Sequence, residues 1–170
     1  MNGFINLYKP LDMSSSDAVL AVRKLLPRKT PVGHGGTLDP MAEGVLPVCV
    51  GKATRLFDYI VDKQKTYIAE ICLGTVTDTD DGEGRVLETR PVDVSENDIR
   101  GVLERFTGDI MQVPPMYSAL KKDGKPLYKL ARQGISMELE ARKVKIYSIE
   151  YVCQSGENRH VISINCGKGV

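Results

Sequence analysis

Hydrophobic and polar positions along the chain recur at two periods, the strand period of two and the helical period of 3.6. The segment Gly3–Lys9 (GFINLYK) is apolar-rich, stops at Pro10 and reads as a strand entering a loop. Ser14, Ser15 and Ser16 precede DAVLAVRKLL, where Ala18, Val19, Val22, Leu25 and Leu26 recur at helical spacing. Serine in front and Pro27 behind bound that helix. Residues 28–44 form a Gly/Pro-rich loop, Val45–Val50 a short apolar strand and Ala53–Val61 a short helix. Thr66–Leu73 alternates as a strand, and the DTDDGEGR that follows is turn chemistry, so Thr66–Leu73 and Arg85–Thr89 are expected to flank a connection.

Ser95 with Asp98 has the form of a capping box, and Ile99, Val102, Leu103 and Phe106 give one helical face ending near Gly108. Asp123-Gly124 marks a hairpin-type turn, and Pro126–Gln133 is a helix stopped by Gly134. Lys143–Gln154 and His160–Cys166 read as two long strands joined by SGEN. Roughly six strands and four helices, interleaved, predict an α+β (mixed α/β) domain with a largely antiparallel mixed sheet and flanking helices. No internal repeat or low-complexity tract interrupts the pattern.

Length and composition fit this picture. A chain of 170 residues is expected to form a single domain, 1–170, and the 42% of hydrophobic residues can supply its core without disulfide or metal staples. No segment approaches the roughly 20 apolar residues of a membrane helix, and the start MNGFINLYKP lacks the build of a signal peptide. A cytoplasmic protein with no membrane partner is expected. Cys49, Cys72, Cys153 and Cys166 lie far apart, each in an apolar strand-like run, and read as small buried side chains in a reducing compartment. His34 and His160 stand in unrelated contexts, so no metal site is expected. The ending HVISINCGKGV stops directly after a strand, which suggests a piece of a longer chain.

The net charge of +1 conceals an uneven distribution: +3 over residues 1–57, −7 over 58–110 and +5 over 111–170. A neutral total argues against a purely charge-driven polyanion binder. The split nevertheless permits two basic segments to face a polyanion while the acidic middle faces away. Charge alone does not choose between that and mixing on every face.

Chemistry concentrates in Gly33-His34-Gly35-Gly36-Thr37-Leu38-Asp39-Pro40-Met41-Ala42-Glu43-Gly44. Leu-Asp follows the glycines where a phosphate-binding P-loop has Lys-Ser/Thr, and the spacing G-x-G-x-x-G of a dinucleotide site is absent. What remains is a carboxylate on a stiff arm, because Pro40 pushes Asp39 away from helical geometry and fixes the chain after it. Such an aspartate can serve as nucleophile or general base. Asp-Pro in a Gly-rich loop is also ordinary turn chemistry, which spacing alone favours.

Elsewhere the signals are weaker. Asp78, Asp80, Asp81 and Glu83 fail the calcium-loop pattern, with Gly82 and Glu83 at the fifth and sixth positions and Thr89 at the twelfth, and read as a solvated hairpin tip. Tyr67 is either a half-buried strand tyrosine or a stacking platform for a base. His160 continues the face of Ile162, Ile164 and Cys166 and is assigned to structure, whereas His34, flanked by glycine, has no apolar face to join. Lys121, Lys122, Lys125, Lys129 and Arg132, with Tyr117 and Tyr128, suit a phosphate backbone or a solvated surface equally.

Four segments in order, NLYKP, GHGGTLDPMAEGVLPVCVGKATR, KTYIAEICLGTVTDTDDGEG and PPMYSALKKDGKPLYKLARQG, resemble the bacterial TruB family of tRNA pseudouridine synthases over essentially the whole chain. The resemblance implies isomerisation of the T-arm uridine (U55) of tRNA to pseudouridine. Asp39 of the G-T-L-D-P motif would be catalytic. Tyr67 would stack on the target uracil and help remove its C5 proton, His34 would wedge into the T-loop beside the flipped nucleotide, and Lys9 of the Lys-Pro motif would support substrate binding. The reaction cleaves N1–C1′ and rejoins the uracil through C5, so no cofactor or metal is implied. A monomer acting on the T-arm stem-loop of tRNA is expected, with the base extruded before it reacts. Family members continue past C-x-K-G with a Tyr-Ile-Arg segment, whose arginine pairs with the aspartate, and with a C-terminal RNA-binding (PUA-like) domain. The 170 residues alone are therefore expected to be weakly active or inactive. Two other readings remain open: a module that grips the T-arm without chemistry, and a guide-RNA-dependent relative.

Overall fold

The computed structural model describes residues 1–61, 63–118, 120–122, 124–131, 133–135 and 137–170. They fall into two units, Met1–Lys63 and Gln64–Val170. In the first, β1 (Gly3–Lys9), α1 (Ser15–Lys24), β2 (Val32–His34) and β3 (Gly44–Val50) lead through a 3-10 turn at Gly51–Leu56 into α2 (Phe57–Val61). The strands form an antiparallel sheet in the order β1-β3-β2. Alternation sends Ile5, Leu7 and Lys9 to one face, opposite Val48, Leu46 and Gly44, and leaves Phe4, Asn6 and Tyr8 exposed.

Helix α1 lays Ala18, Val19 and Val22 against Val32, Leu46, Val48 and Val50, with Ile5, Leu7 and Leu38 at the margin. It begins where the Ser14 side chain accepts the Asp17 amide at 3.1 Å. Arg23 and Lys24 occupy its last turn, where cations suit the helix dipole. The Gly/Pro-rich loop is thus not wholly irregular: three of its residues form β2, held by pairing to β3 rather than by local propensity.

The second unit holds β4 (Lys65–Cys72), β5 (Thr75–Thr77), β6 (Val86–Thr89), α3 (Glu96–Leu103), β7 (Gly108–Gln112), β8 (Lys121–Lys122), β9 (Lys125–Pro126), α4 (Leu127–Ala131), β10 (Arg142–Gly156) and β11 (Arg159–Cys166). Its main sheet is antiparallel, β4-β11-β10-β7. Ile99 and Leu103 of α3 pack on Tyr151 and Ile162 of that sheet, with Ala69 and Ile71 beside them. The capping box closes as read from the sequence: the Ser95 side chain accepts the Asp98 amide, and Asp98 accepts the Ser95 amide at 2.8 Å.

Two expectations change. The acidic turn joins β5 to β6, not Thr66–Leu73 to Arg85–Thr89, because β4 takes β11 as its partner. Only Cys49 and Cys166 are buried; the outward positions of β4 and β10 expose Cys72 and Cys153, and all four are free thiols. Among the described residues no helix is long and apolar enough to cross a membrane.

Candidate active site

The loop around Asp39 is irregular backbone, and ordering each such residue costs about 1–2 kcal/mol of conformational entropy. A single hydrogen bond returns only about 0.5–1.5 kcal/mol, so a fixed loop needs several anchors. They are present. Leu38 packs at the margin of the α1 core, and its backbone is held by the buried Ser15 hydroxyl, which donates to the Leu38 carbonyl and accepts the Leu38 amide, both at 2.9 Å.

On the other side of Asp39, the Pro40 carbonyl accepts from the Asp12 amide at 2.9 Å and from the Lys9 ammonium at 3.4 Å. The Ala42 amide closes a turn onto the Asp39 carbonyl at 3.0 Å. Further along, Tyr8 donates its hydroxyl to the Glu43 carboxylate. That bond, first, and then burial and the Glu43 charge hold the Tyr8 phenol above its ordinary range.

Lys9 is 0% exposed, at the inward end of β1. Its ammonium has three donors and meets three carbonyls, Met13 at 2.8 Å, Pro10 at 2.9 Å and Pro40 at 3.4 Å. A buried charge is tolerable only when its hydrogen bonds are satisfied, which this cradle provides. Asp39 itself is exposed, as is Thr37. The outcome is a carboxylate in solvent between two neighbours whose backbones are fastened.

His34 ends β2 opposite Val48 and is half-buried. Its Nδ1 bonds the Gly36 carbonyl; a carbonyl can only accept, so Nδ1 carries the hydrogen and Nε2 is left as the second polar position of the ring. The glycines beside it answer internal demands. A Cβ on Gly35 would meet Ile60 Cγ2 at 2.6 Å, and Gly36 has a φ of 145°, which side chains rarely adopt.

Tyr67 belongs to the second unit, half-buried in β4 opposite Ile164 and on the same face as Ala69 and Ile71. His160 is buried there, its Nδ1 3.3 Å from the Tyr151 hydroxyl, while the Arg100 guanidinium lies 4.6 Å from the Tyr151 ring centroid. The acidic run is a solvated tip: Asp78 accepts the Arg85 amide at 2.8 Å and Asp81 the Glu83 amide at 2.9 Å. Of the basic stretch and its turn, Asp123 and Arg132 lie outside the described residues, and Lys125 and Lys129 are exposed.

Sequence reasoning passed over Ser15, Asp12 and Tyr8 as supports of this loop, and read Glu43 only as one of its residues. Ser15 carried a signal: it stands three, four and seven residues before Ala18, Val19 and Val22, a hydroxyl on the apolar face of a helix.

Residues 23–170 match the TruB family pseudouridylate synthase (N terminal domain). A tRNA pseudouridine synthase B of Clostridium perfringens (strain 13 / Type A) is 49% identical over 170 residues, covering 99% of this chain and 58% of the relative. The chain thus spans little more than half the length of that relative. Among solved structures, a chain of a Cbf5-Nop10-Gar1 complex is similar with a TM-score of 0.71 and 30% identity, covering 99% of this chain and 40% of that one. A chain of an H/ACA RNP bound to a substrate RNA containing 2'-deoxyuridine is similar with a TM-score of 0.66 and 27% identity, covering 99% of this chain and 38% of that one.

Proposed function

The chain belongs to the TruB family of pseudouridylate synthases, and from that premise we propose that it isomerises the T-arm uridine of tRNA (U55) to pseudouridine with Asp39 as the catalytic carboxylate. The observation that carries this reading is the exposed Asp39 between Leu38 and Pro40, each fastened from a different element. A carboxylate that must meet an extruded nucleotide has to be accessible, yet its backbone must not wander, because small misplacements are costly in rate.

The reaction breaks N1–C1′, forms C5–C1′ and moves the C5 proton to solvent while N1 gains one, so atoms and electrons balance without a cofactor. Asp39 acts either by attack, at C1′ or C6, or by removing a sugar proton. Tyr67 stacks on the uracil and assists loss of the C5 proton. His34 fills the space left by the extruded base. Lys9 is a positioning residue in this reading: its ammonium is engaged by carbonyls and supports the site through Pro40. Both units are parts of one catalytic domain, 1–170, which works as a monomer in the cytoplasm; the exposed free thiols of Cys72 and Cys153 suit that reducing compartment.

The test is conversion of the T-arm uridine in a tRNA transcript by the intact protein and its Asp39→Asn variant. Conversion by the parent and none by the variant supports the reading; undiminished conversion by the variant overturns it.

A further inference from the structure

Exposed cations in the second unit are repeatedly paired: Arg90 with Glu88, Arg100 with Glu96, Lys143 and Lys145 with Asp109, and Arg159 with Glu70. Arg23, Lys24, Arg28 and Lys29 of the first unit are not, nor are Lys52 and Arg55, but the first four gather in one stretch of chain. All four are exposed, and none has an ion pair among the described residues, although the Arg23 guanidinium donates to the Val32 carbonyl at 3.3 Å. The local sequence sets them side by side. Arg23 and Lys24 close α1, and a turn follows in which Thr30 bonds the Pro27 carbonyl through its amide at 3.1 Å and its hydroxyl at 2.7 Å. Within that turn Lys29 has a φ of 71°, in the left-handed region that costs most residues roughly 1–2 kcal/mol.

These four side chains line an open hollow of about 480 Å³, with Asp17 as its one carboxylate. Leu20 and Arg23 also line a second hollow of about 470 Å³, together with His34 and Phe57. The four cations gather in the first hollow, a groove along the end of α1 and the turn after it. A chain of net charge +1 has no general attraction for a polyanion, so cations without a carboxylate partner gathered along one groove favour holding a polyanion there.

We propose that this groove is a track for the sugar–phosphate backbone of a duplex RNA stem, with Arg23, Lys24, Arg28 and Lys29 on its phosphates. Duplex RNA is held mainly by backbone and shape, which flexible cations in an open groove can follow. The inference rests on the tRNA reading above and adds to it the place where the stem lies.

The experiment is fluorescence anisotropy with a labelled T-arm stem-loop, and with its loop nucleotides alone, titrated between about 50 and 200 mM salt. The proteins are the parent, the double variant Arg28→Gln/Lys29→Gln, a second pair Lys24→Gln/Lys29→Gln, and Lys52→Gln as a control outside the groove. Both double variants are expected to bind the stem-loop roughly tenfold more weakly, with a log–log salt slope shallower by about 2. Lys52→Gln should match the parent, and the loop nucleotides alone should not distinguish the proteins. Stem-loop binding by the parent with unchanged slopes in both double variants overturns the track and leaves the tRNA reading standing. A parent that does not bind the stem-loop overturns both. Polyglutamate binding that the double variants lose while their RNA slopes stay unchanged overturns the track in favour of an acidic protein partner.

Discussion

Ser15 and Leu38, 23 positions apart, exchange two hydrogen bonds of 2.9 Å, the hydroxyl of one serving as donor and acceptor for the backbone of the other. A helix that is otherwise bound to the core by apolar side chains thereby also fixes the residue that precedes the proposed catalytic carboxylate.

Ser15→Ala and Asp39→Asn should separate scaffold from chemistry. Ser15→Ala leaves a backbone donor and acceptor without their partner and should cost about 1–3 kcal/mol, seen as a lowered Tm. Uridine conversion should fall by roughly 10²-fold through misplacement of the loop. Asp39→Asn, at an exposed site, should change stability by less than about 0.5 kcal/mol and abolish conversion. Equal Tm losses in the two variants would contradict the division.

Lys9→Met should be the more damaging scaffold change. It keeps the bulk of the side chain and strips three carbonyls of a charged donor, for which about 1.5–3 kcal/mol or more is expected by chemical denaturation. Lys9→Arg should not rescue it, since a planar fork does not match a three-carbonyl cradle. A Lys9→Met protein as stable as its parent would show that the cradle contributes nothing.

The capping box makes stability acid-sensitive. Hydrogen bonds from the Ser95 side chain and then its backbone hold the Asp98 carboxyl below its ordinary 3.8. A carboxyl depressed in the folded state contributes stability above its unfolded value and loses that contribution as the pH falls through the folded value. Denaturation midpoints between about pH 5 and 2 should therefore fall less steeply for Asp98→Asn than for the parent. Glu70, depressed first by Ser155 and then by Arg159, acts in the same direction, so the slope should shrink without vanishing.

Thiol labelling should occur in two stages. Cys72 and Cys153 are exposed and should be alkylated in the native protein. Cys49 and Cys166 are buried, and desolvation pushes both thiols up, so they should react only after denaturant is added. Four reactive thiols in the native protein would contradict the burial of β3 and β11.

Local rules made much of this legible. Ser95 and Asp98 lie within one turn of each other, and β10 and β11 are long, so their patterns survive in the sequence. Lys9 and Ser15 were also readable in principle, each a polar residue at an inward position of an apolar repeat. β2 and β7 are three and five residues long and exist by pairing with β3 and β10, which no short window contains. The tie between Tyr8 and Glu43 spans 35 positions and has no local signature. Asp39 illustrates why its turn reading and its functional reading competed: the Ala42 amide does make it part of a turn, and the same turn leaves its carboxylate outside.

The burial of Lys9 binds the fate of the first strand to that of a segment made 31 residues later. Until Pro40 arrives, the ammonium lacks one of its acceptors, and whenever that segment lifts away the ammonium is again under-coordinated in an apolar setting. Opening should accordingly be concerted, with β1 amides and those of residues 38–42 exchanging hydrogen at a shared rate. A molecule built this way excludes intermediates in which its reactive segment is loose while its N-terminal strand is firm.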